Sequence, residues 1–217
     1  MSGTKDPSPK SSGIAGIILA AGKSSRMGAF KPLLPFGDRT VVETCIQNFR
    51  EAGVDNIVVV IGDDDRAKQL RHTVCESGVH FAINPDAESE MSASIACATK
   101  TLLETTEAVI INPVDHAAVP PQVIKLLIDA WMNGQRLVKP TWQGQGGHPV
   151  LIDCTFRAAL RNLDPQGGLK AFLDVYKSEV TRLAVDSNYI ARDMDTWDDY
   201  RSLHQELFGF FPIKPAD

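Results

Sequence analysis

Short apolar runs alternate with amphipathic segments along nearly the whole chain, and this alternation limits the fold more than any other feature. The apolar runs have strand length and are rich in β-branched residues, whereas the segments between them repeat their apolar residues with a helical period. We predict strands at 14–20, 56–61, 79–83, 108–112, 137–141, 149–152 and 180–185. We predict helices at 40–52, 63–76, 91–103, 155–162, 168–176 and 196–209, and a further helix that begins at Pro121. This alternation is typical of a three-layer α/β domain, in which helices cover both faces of a mainly parallel sheet.

The length and the local composition of the chain indicate one domain. A chain of 217 residues is long enough for one large α/β core, and it has no internal repeat and no long linker. Residues 1–12 are rich in Ser, Pro, Lys and Gly, a composition typical of disorder. We therefore predict a disordered N-terminal tail over 1–12, a single domain over 13–209 and a C-terminal tail over 210–217.

Charge and cysteine usage exclude several classes of protein. The formal net charge of −5 argues against a nucleic-acid binder, which would carry a basic stripe. No segment has the apolar length that crosses a bilayer. The apolar run after Lys5 and Lys10 is too short for a convincing signal peptide and continues into a cationic loop. The cysteines are widely spaced and form no C-x-x-C pair, so we interpret them as buried thiols in the reducing compartment of a cytoplasmic protein: Cys45, Cys75, Cys97 and Cys154.

The loop that follows the first predicted strand carries the clearest chemical signal. It is built from small residues, yet it contains Lys23 and Arg26, and Lys31 follows closely. Small residues allow the backbone to approach phosphate groups, and fixed cations offset the phosphate charge. The loop matches neither the P-loop pattern nor the dinucleotide fingerprint, and so many cations suit a triphosphate. The alternative is a glycine turn with solvated charges.

The segment Leu19-Ala-Ala-Gly-Lys-Ser-Ser-Arg-Met-Gly28, followed by Lys31-Pro-Leu-Leu-Pro35, resembles the signature loop of the MobA/MocA-like nucleotidyltransferases. Members of this family attach a nucleotide to molybdopterin. The resemblance implies a Rossmann-like fold of the nucleotide-diphospho-sugar transferase type and transfer of a nucleotide monophosphate with release of pyrophosphate. The pair Ala20-Ala21 is similar to the cytidylyltransferase branch, which implies CTP, whereas the guanylyltransferase branch tends to have A-G-G.

The resemblance and the cationic loop together assign the nucleotide site. Arg26 and Lys31 are the candidates for contacts to the phosphates and, with Asp115, for catalysis; Lys23 is a third cation or a solvated lysine. The segment from Asn84 and the segment Glu90-Met-Ser-Ala-Ser94 resemble N-P-x-x-x-x-G-M-x-x-S of the cytidylyltransferases, with Glu90 in the place of glycine. The predicted nucleotide-binding residues are Leu19, Ala20, Ala21, Gly22, Ser25, Arg26, Lys31, Asn84, Met91, Ser92 and Ser94.

Two aspartates are candidate ligands of a divalent metal. Asp115 follows a predicted buried strand, where a carboxylate suits magnesium, because this ion binds one or two carboxylates together with phosphate oxygens. Asp195 lies in Arg192-Asp-Met-Asp-Thr196, which resembles the D-[IV]-D-T-P-E-D segment of the family. The resemblance implies a magnesium ion, or manganese in its place, on both carboxylates. The alternatives are that Asp115 caps a turn and that Asp195 caps the helix after it.

Two histidines are candidates for binding the second substrate. His148 lies in Gly144-Gln-Gly-Gly-His-Pro149, which resembles the G-x-x-G-H-P segment of the family, and His116 directly follows the candidate metal ligand Asp115. The resemblance implies that the acceptor is of molybdopterin type and that a client molybdoenzyme receives the product. A structural role for His148 is the alternative.

Three other functions compete with molybdopterin cytidylyl transfer. The first is transfer to another phosphorylated acceptor such as a sugar phosphate, although the longer loop and additional segments of such enzymes are missing. The second is a non-catalytic accessory protein that binds molybdopterin, which would not require the cations and both aspartates. The third is a nicotinamide-dependent oxidoreductase, which the missing dinucleotide fingerprint disfavours.

Overall fold

The computed structural model describes residues 13–22, 24, 26–74, 78–86 and 90–213. The predicted N-terminal tail, Lys23, Ser25, Cys75 and residues 214–217 lie outside this part of the chain. Cys45, Cys97 and Cys154 are unbonded thiols, and only Cys45 is fully buried. No helix among the described residues is long and apolar enough to cross a membrane.

The predicted strands and helices are confirmed, with shifts of a few residues at their ends. The strands are β1 (Ile14–Leu19), β2 (Pro35–Phe36), β3 (Arg39–Thr40), β4 (Asn56–Ile61), β5 (Val79–Ile83), β6 (Ala108–Pro113), β7 (Leu137–Trp142), β8 (Gln145–Gly146), β9 (Val150–Asp153) and β10 (Val180–Ala184). The helices are α1 (Val41–Glu51), α2 (Asp65–Thr73), α3 (Met91–Thr101), α4 (Pro121–Met132), α5 (Arg157–Arg161), α6 (Gly168–Val175) and α7 (Trp197–Phe208).

One mixed sheet forms the centre of the molecule, with the strand order β10-β7-β9-β6-β1-β4-β5 and β8 paired to β7. β1 lies between β4 and β6 and is parallel to both. β9 is antiparallel to its neighbours β6 and β7. Because β9 runs in the opposite direction, its first residue lies at the edge where the parallel strands end. The sheet is therefore mainly parallel, as predicted, with one inverted strand near its middle.

Helices cover both faces of the sheet, which confirms the three-layer prediction. Side chains alternate along a strand, so Ile14 and Ile18 of β1 pack in the core under α1, α2, α4 and α7. Ile17 and Leu19 of the same strand pack on the opposite face, in the core formed with α3, α5 and α6. Burial on both faces explains why the central strands have continuous apolar sequences.

Local hydrogen bonds fix the start of two helices in the way that the sequence predicts. The Thr40 hydroxyl accepts from the Glu43 amide, and the Glu43 carboxylate accepts from the Thr40 amide, so α1 begins with a capping box. Thr196 and Asp199 form the same arrangement at the start of α7. Each cap satisfies backbone amides that the first helical turn leaves without an intrahelical acceptor.

Three details differ from the sequence-based expectation. The short hairpin of β2 and β3 precedes α1, and the segment predicted as one helix at 155–162 begins with a 3₁₀ turn over Cys154–Phe156. Phe210, expected in a C-terminal tail, packs its ring against that of His204. The Phe210 carbonyl accepts a hydrogen bond from His204 Nδ1 at 2.9 Å. An aromatic cluster on α7 therefore holds the first residue after the predicted domain end.

Candidate active site

The polar segments identified in the sequence meet at one edge of the sheet, where the parallel strands end. The signature loop follows β1, Asn84 follows β5, and Asp115 lies in a 3₁₀ turn directly after β6. His148 precedes the inverted strand β9, so it also lies at this edge. Asp195 lies in the segment between β10 and α7. Ligands of open α/β sheets bind at this edge because the loops after the strands diverge there.

A cavity of about 370 Å³ opens at this edge. Its walls combine the signature loop, the segment between β5 and α3, the end of β6 and the segment before α7. The lining residues are Leu19, Ala21, Gly22, Ser24, Arg26, Lys31, Asn84, Asp86, Met91, Ser94, Pro113, Val114, Asp115 and Asp195. The cavity thus joins most of the described residues predicted to bind the nucleotide with both candidate metal ligands.

Lys31 contacts both candidate metal ligands in the cavity. Its ammonium is 3.3 Å from Asp115 Oδ2 and 3.5 Å from Asp195 Oδ1, and only 9% of its side chain is exposed. The backbone positions this side chain: Lys31 begins a 3₁₀ turn, and its amide donates to the hydroxyl of Ser24 in the signature loop at 3.2 Å. One nearly buried ammonium therefore contacts two carboxylates that are distant from each other in the sequence.

Asp195 contacts two cations and does not cap α7. Its Oδ2 accepts a hydrogen bond from Arg26 at 2.7 Å, and its Oδ1 faces Lys31. The cap of α7 comes from Thr196 and Asp199, so the alternative role of Asp195 as a helix cap is wrong. Arg26 is the more exposed of the two cations, since 75% of its side chain is accessible to solvent. Asp195 therefore does not cap α7, and its side chain lines the cavity.

The carboxylates fit a divalent ion that also binds substrate phosphates. Asp115 Oδ1 is buried and has no hydrogen-bond partner among the described residues, so it retains the capacity to bind a cation. The described residues contain no group of three or more His, Cys, Asp or Glu side chains arranged around a metal position. Magnesium is typically held by one or two carboxylates, with phosphate oxygens and water as its other ligands. The donor set therefore suits magnesium or manganese bound together with a triphosphate.

The segment between β5 and α3 forms the opposite wall. The side-chain amide of Asn84 donates to the Ser94 hydroxyl at 3.0 Å. The side-chain oxygen of Asn84 accepts from the backbone amide of Asp86 at 3.2 Å. These bonds tie the start of α3 to the end of β5, so polar side chains face the cavity from a fixed position.

Two of the described residues that were predicted to bind the nucleotide do not line this cavity. Ala20 is buried in the core, and a smaller depression beside the cavity has Ala20 in its lining. Ser92 lines a second cavity on the other side of Met91. Ser25 lies outside the described residues. Alternation along the chain explains the first two, because Leu19 and Ala21 point to the opposite side from Ala20, and Ser92 lies on a different side of α3 from Ser94.

His116 and His148, the predicted acceptor ligands, lie against each other. Their ring centroids are 4.9 Å apart, and His116 Nε2 is 3.9 Å from Asp115 Oδ1. Burial lowers the pKa of His116, outweighing the opposite effect of Asp115. Burial, with smaller contributions from His116 and Lys139, lowers the pKa of His148 to about 3. Both rings are therefore neutral at pH 7, and the Nδ1 atom of each is buried without a partner among the described residues.

Sequence reasoning missed several residues at this edge. Ser24 lies within the recognised loop, and its φ of 52° and its bond to Lys31 were not evident from composition. Asn112 at the end of β6 is buried and donates to the carbonyl of Pro113 at 3.0 Å, which shapes the turn that carries Asp115. Lys139 within β7 lines the second cavity together with His148, and no motif surrounds it in the sequence. Position after a strand could have identified Asn112, whereas nothing local distinguishes Lys139.

Comparisons with known proteins show the family of the chain. A family model described as MobA-like NTP transferase domain matches residues 16–181. The molybdenum cofactor cytidylyltransferase of Escherichia coli K12 is 28% identical over 189 residues, which cover 85% of this chain and 92% of that protein. The nicotine blue oxidoreductase of Paenarthrobacter nicotinovorans is 25% identical over 192 residues, covering 84% of this chain and 92% of that protein.

Solved structures are similar to the chain in both fold and sequence. Rv0371c from Mycobacterium tuberculosis H37Rv superimposes with a TM-score of 0.79 and 29% identity, covering 88% of this chain and 97% of that one. A second structure of Rv0371c, in complex with manganese, superimposes with a TM-score of 0.71 and 27% identity over 88% of this chain and 97% of that one. Similarity over nearly the full length of these chains extends the relationship to the whole described domain.

Proposed function

The chain belongs to the family of MobA-like NTP transferase domains, and from this premise we propose that it transfers a cytidine monophosphate from CTP to molybdopterin. A phosphate oxygen of the acceptor attacks the α-phosphorus of CTP. The bond between the α-phosphorus and the oxygen bridging to the β-phosphate breaks, and pyrophosphate leaves. The observation that most supports the proposal is the position of Lys31. Its nearly buried ammonium contacts both Asp115 and Asp195 in the cavity.

The residues of this chain bind and orient the triphosphate. The small residues of the signature loop allow its backbone to approach the phosphates, and Ser24 positions the start of the Lys31 turn. Lys31 and Arg26 bind phosphate oxygens when substrate is present, since both cations already face the cavity. Nucleotidyl transfer requires chiefly such alignment and neutralisation of charge.

Asp115 and Asp195 would hold a divalent metal ion, which when bound polarises the α-phosphate and neutralises the leaving pyrophosphate. The unpartnered Oδ1 of Asp115 supports this role. The manganese complex of Rv0371c also supports a divalent metal, because that protein has the same fold and 27% identity to this chain. We propose magnesium as the ordinary metal and manganese as a substitute.

CTP is proposed as the nucleotide because Ala21 lines the cavity where a glycine is expected for guanylyl transfer. The cytidylyltransferase of E. coli, with 28% identity, supports the same choice. Molybdopterin is proposed as the acceptor on the likeness to that relative, and its client would be a molybdoenzyme. The oxidoreductase among the relatives has 25% identity, and no nicotinamide fingerprint accompanies that likeness in this sequence.

Pyrophosphate release, measured with each of the four nucleoside triphosphates and Mg²⁺, tests this proposal. We expect release with CTP only when molybdopterin is present, and much less with GTP, ATP or UTP. Release with a sugar phosphate in place of molybdopterin would reassign the acceptor. Molybdopterin binding without release from any nucleotide would make the protein a non-catalytic carrier and would overturn the proposed activity.

A further inference from the structure

A second cavity of about 300 Å³ adjoins the nucleotide cavity. Met91 at the start of α3 lines both cavities and forms part of the wall between them. The second cavity is almost as large as the first, so it can hold a molecule comparable in size to a nucleotide. It lies on the face of the sheet covered by α3, α5 and α6, since Val150 and Leu169 belong to that core.

The end of this cavity nearest the nucleotide is polar. His148 lines it, and the His148 ring packs on His116, which lies 3.9 Å from the candidate metal ligand Asp115. The two histidines therefore connect the second cavity to the place where the α-phosphate would react.

Lys139 supplies the charge at this end. It is half-buried in β7, lines the cavity, and is close enough to His148 for its positive charge to act on that ring. Among the described residues no carboxylate lies within ion-pair distance of its ammonium, in contrast to Lys31. A half-buried cation without a counter-ion favours an anionic ligand, because burial weakens its hydration.

The rest of the lining is mainly apolar, and its one further cation, Lys170, is exposed to solvent. Leu169, Leu173 and Pro165 provide apolar surface there, and the N-terminus of α6 contributes backbone amides. Glu90, the one carboxylate in the lining, is exposed at the N-cap position of α3. Its charge disfavours an anion beside the start of α3.

We propose that the second cavity binds the phosphorylated acceptor and that the ammonium of Lys139 binds its phosphate, beside His148. This rests on the proposed nucleotidyl transfer and adds to it the binding residue for the second substrate. The phosphate held by Lys139 is the nucleophile, and the rest of the acceptor extends toward Leu169 and the start of α6. Glu90 then affects acceptor binding, not the choice of nucleotide base.

Phosphate binding to the full chain tests the role of Lys139 directly. The first cavity is saturated with Mg²⁺ and the non-transferable analogue α,β-methylene-CTP, and inorganic phosphate is titrated in a calorimeter. We expect Lys139→Gln to weaken phosphate binding roughly tenfold to hundredfold, as expected for a lost hydrogen bond between charged groups. Lys139→Arg, which keeps the charge, should retain most of the affinity. Lys125→Gln is the matched control, because Lys125 is exposed on α4, which covers the other face of the sheet.

Steady-state transfer from CTP to molybdopterin separates this inference from the proposed function. Lys139→Gln should raise the KM for molybdopterin by the same factor while the KM for CTP stays unchanged. Phosphate binding that depends on Lys139 in a protein that transfers no nucleotide would support the anion site and contradict the proposed activity. Unchanged phosphate affinity and an unchanged KM for molybdopterin in Lys139→Gln would overturn the inference and leave the activity standing.

Discussion

At the scale of single residues, the site depends on charges that are balanced before substrate arrives. Lys31 is nearly buried and faces two carboxylates, so neither the cation nor Asp115 is left uncompensated in a region of low dielectric. Substrate phosphates and a divalent ion offer these groups new partners of opposite charge. Under the proposed function, the same side chains would therefore stabilise the protein before substrate binds and would then bind the reactants.

Replacing Lys31 by Ala should lower the kcat/KM for CTP by two orders of magnitude or more. The ammonium stabilises charge that builds on the phosphates during transfer, so its loss affects the transition state most. Pyrophosphate release at saturating molybdopterin measures the effect. Lys68→Ala serves as the control, since Lys68 is exposed and pairs with Asp65 on α2, away from the cavity. Near-normal activity of Lys31→Ala would remove Lys31 from the reaction.

Asp115→Asn and Asp195→Asn should differ in severity. Asp115 has 23% of its side chain exposed and a buried free oxygen, whereas 42% of Asp195 is exposed and Arg26 already occupies one of its oxygens. We expect Asp115→Asn to abolish transfer and Asp195→Asn to weaken it while raising the Mg²⁺ concentration needed for half activity. Metal titrations of both variants test this. An unchanged Mg²⁺ dependence in both would contradict a two-carboxylate site.

At the scale of elements, the inverted strand β9 places His148 at the functional edge. The turn before β9 docks on the segment before α7, because the His148 amide donates to the Ile190 carbonyl at 2.8 Å. It also docks on β7, where the Gly147 amide donates to the Pro140 carbonyl at 3.0 Å. Gly147 passes so close to the segment before α7 that a Cβ there would lie 2.0 Å from the Ile190 carbonyl oxygen. Only glycine allows the two segments to meet this closely.

Replacing Gly147 by Ala should destabilise the protein by about 1–3 kcal/mol, the usual cost of overpacking a tight contact. The clash is with backbone, so no side chain can rotate away, and His148 should shift with the turn. Urea unfolding measures the stability, and the KM for molybdopterin should rise in parallel. Gly62→Ala is a suitable control, because the nearest atom to a Cβ there is 3.9 Å away. Equal stability of the two variants would show that the turn adjusts freely.

At the scale of the whole molecule, one edge of one sheet collects segments from across the chain. Lys31 and Asp115 are 84 residues apart, and Arg26 and Asp195 are 169 apart. Substrate that binds between such distant segments contacts only the folded state. Ligand binding should therefore stabilise the entire domain and not one loop.

CTP with Mg²⁺ should raise the Tm of the protein. A ligand present at one hundred times its Kd stabilises the folded state by about 2.7 kcal/mol, which corresponds to roughly 5–10 °C for a domain of this size. Thermal unfolding with CTP and Mg²⁺, with CTP and EDTA, and with GTP and Mg²⁺ tests both the metal and the base. We expect a large shift only in the first condition. An equal shift with GTP would contradict the preference for CTP.

The sequence by itself determined the elements and the location of the site. Strand and helix positions follow from apolar periodicity, and the caps at Thr40 and Thr196 follow from residues three positions apart, so all of these depend on neighbours in the chain. The signature loop was recognisable as a candidate phosphate-binding loop because small residues and cations occur together after a buried apolar run. The order of strands and loops also predicted that Asp115 and Asn84 would meet at one edge.

Only the tertiary structure decided which side chains share a partner. Whether Asp195 caps α7 or faces Lys31 depends on how the segment after β10 crosses the sheet, and the sequence left both open. The inversion of β9 and the cavity around Lys139 depend likewise on pairing between distant strands. Such contacts arise from the packing of elements far apart in sequence, and no local pattern of residues encodes them.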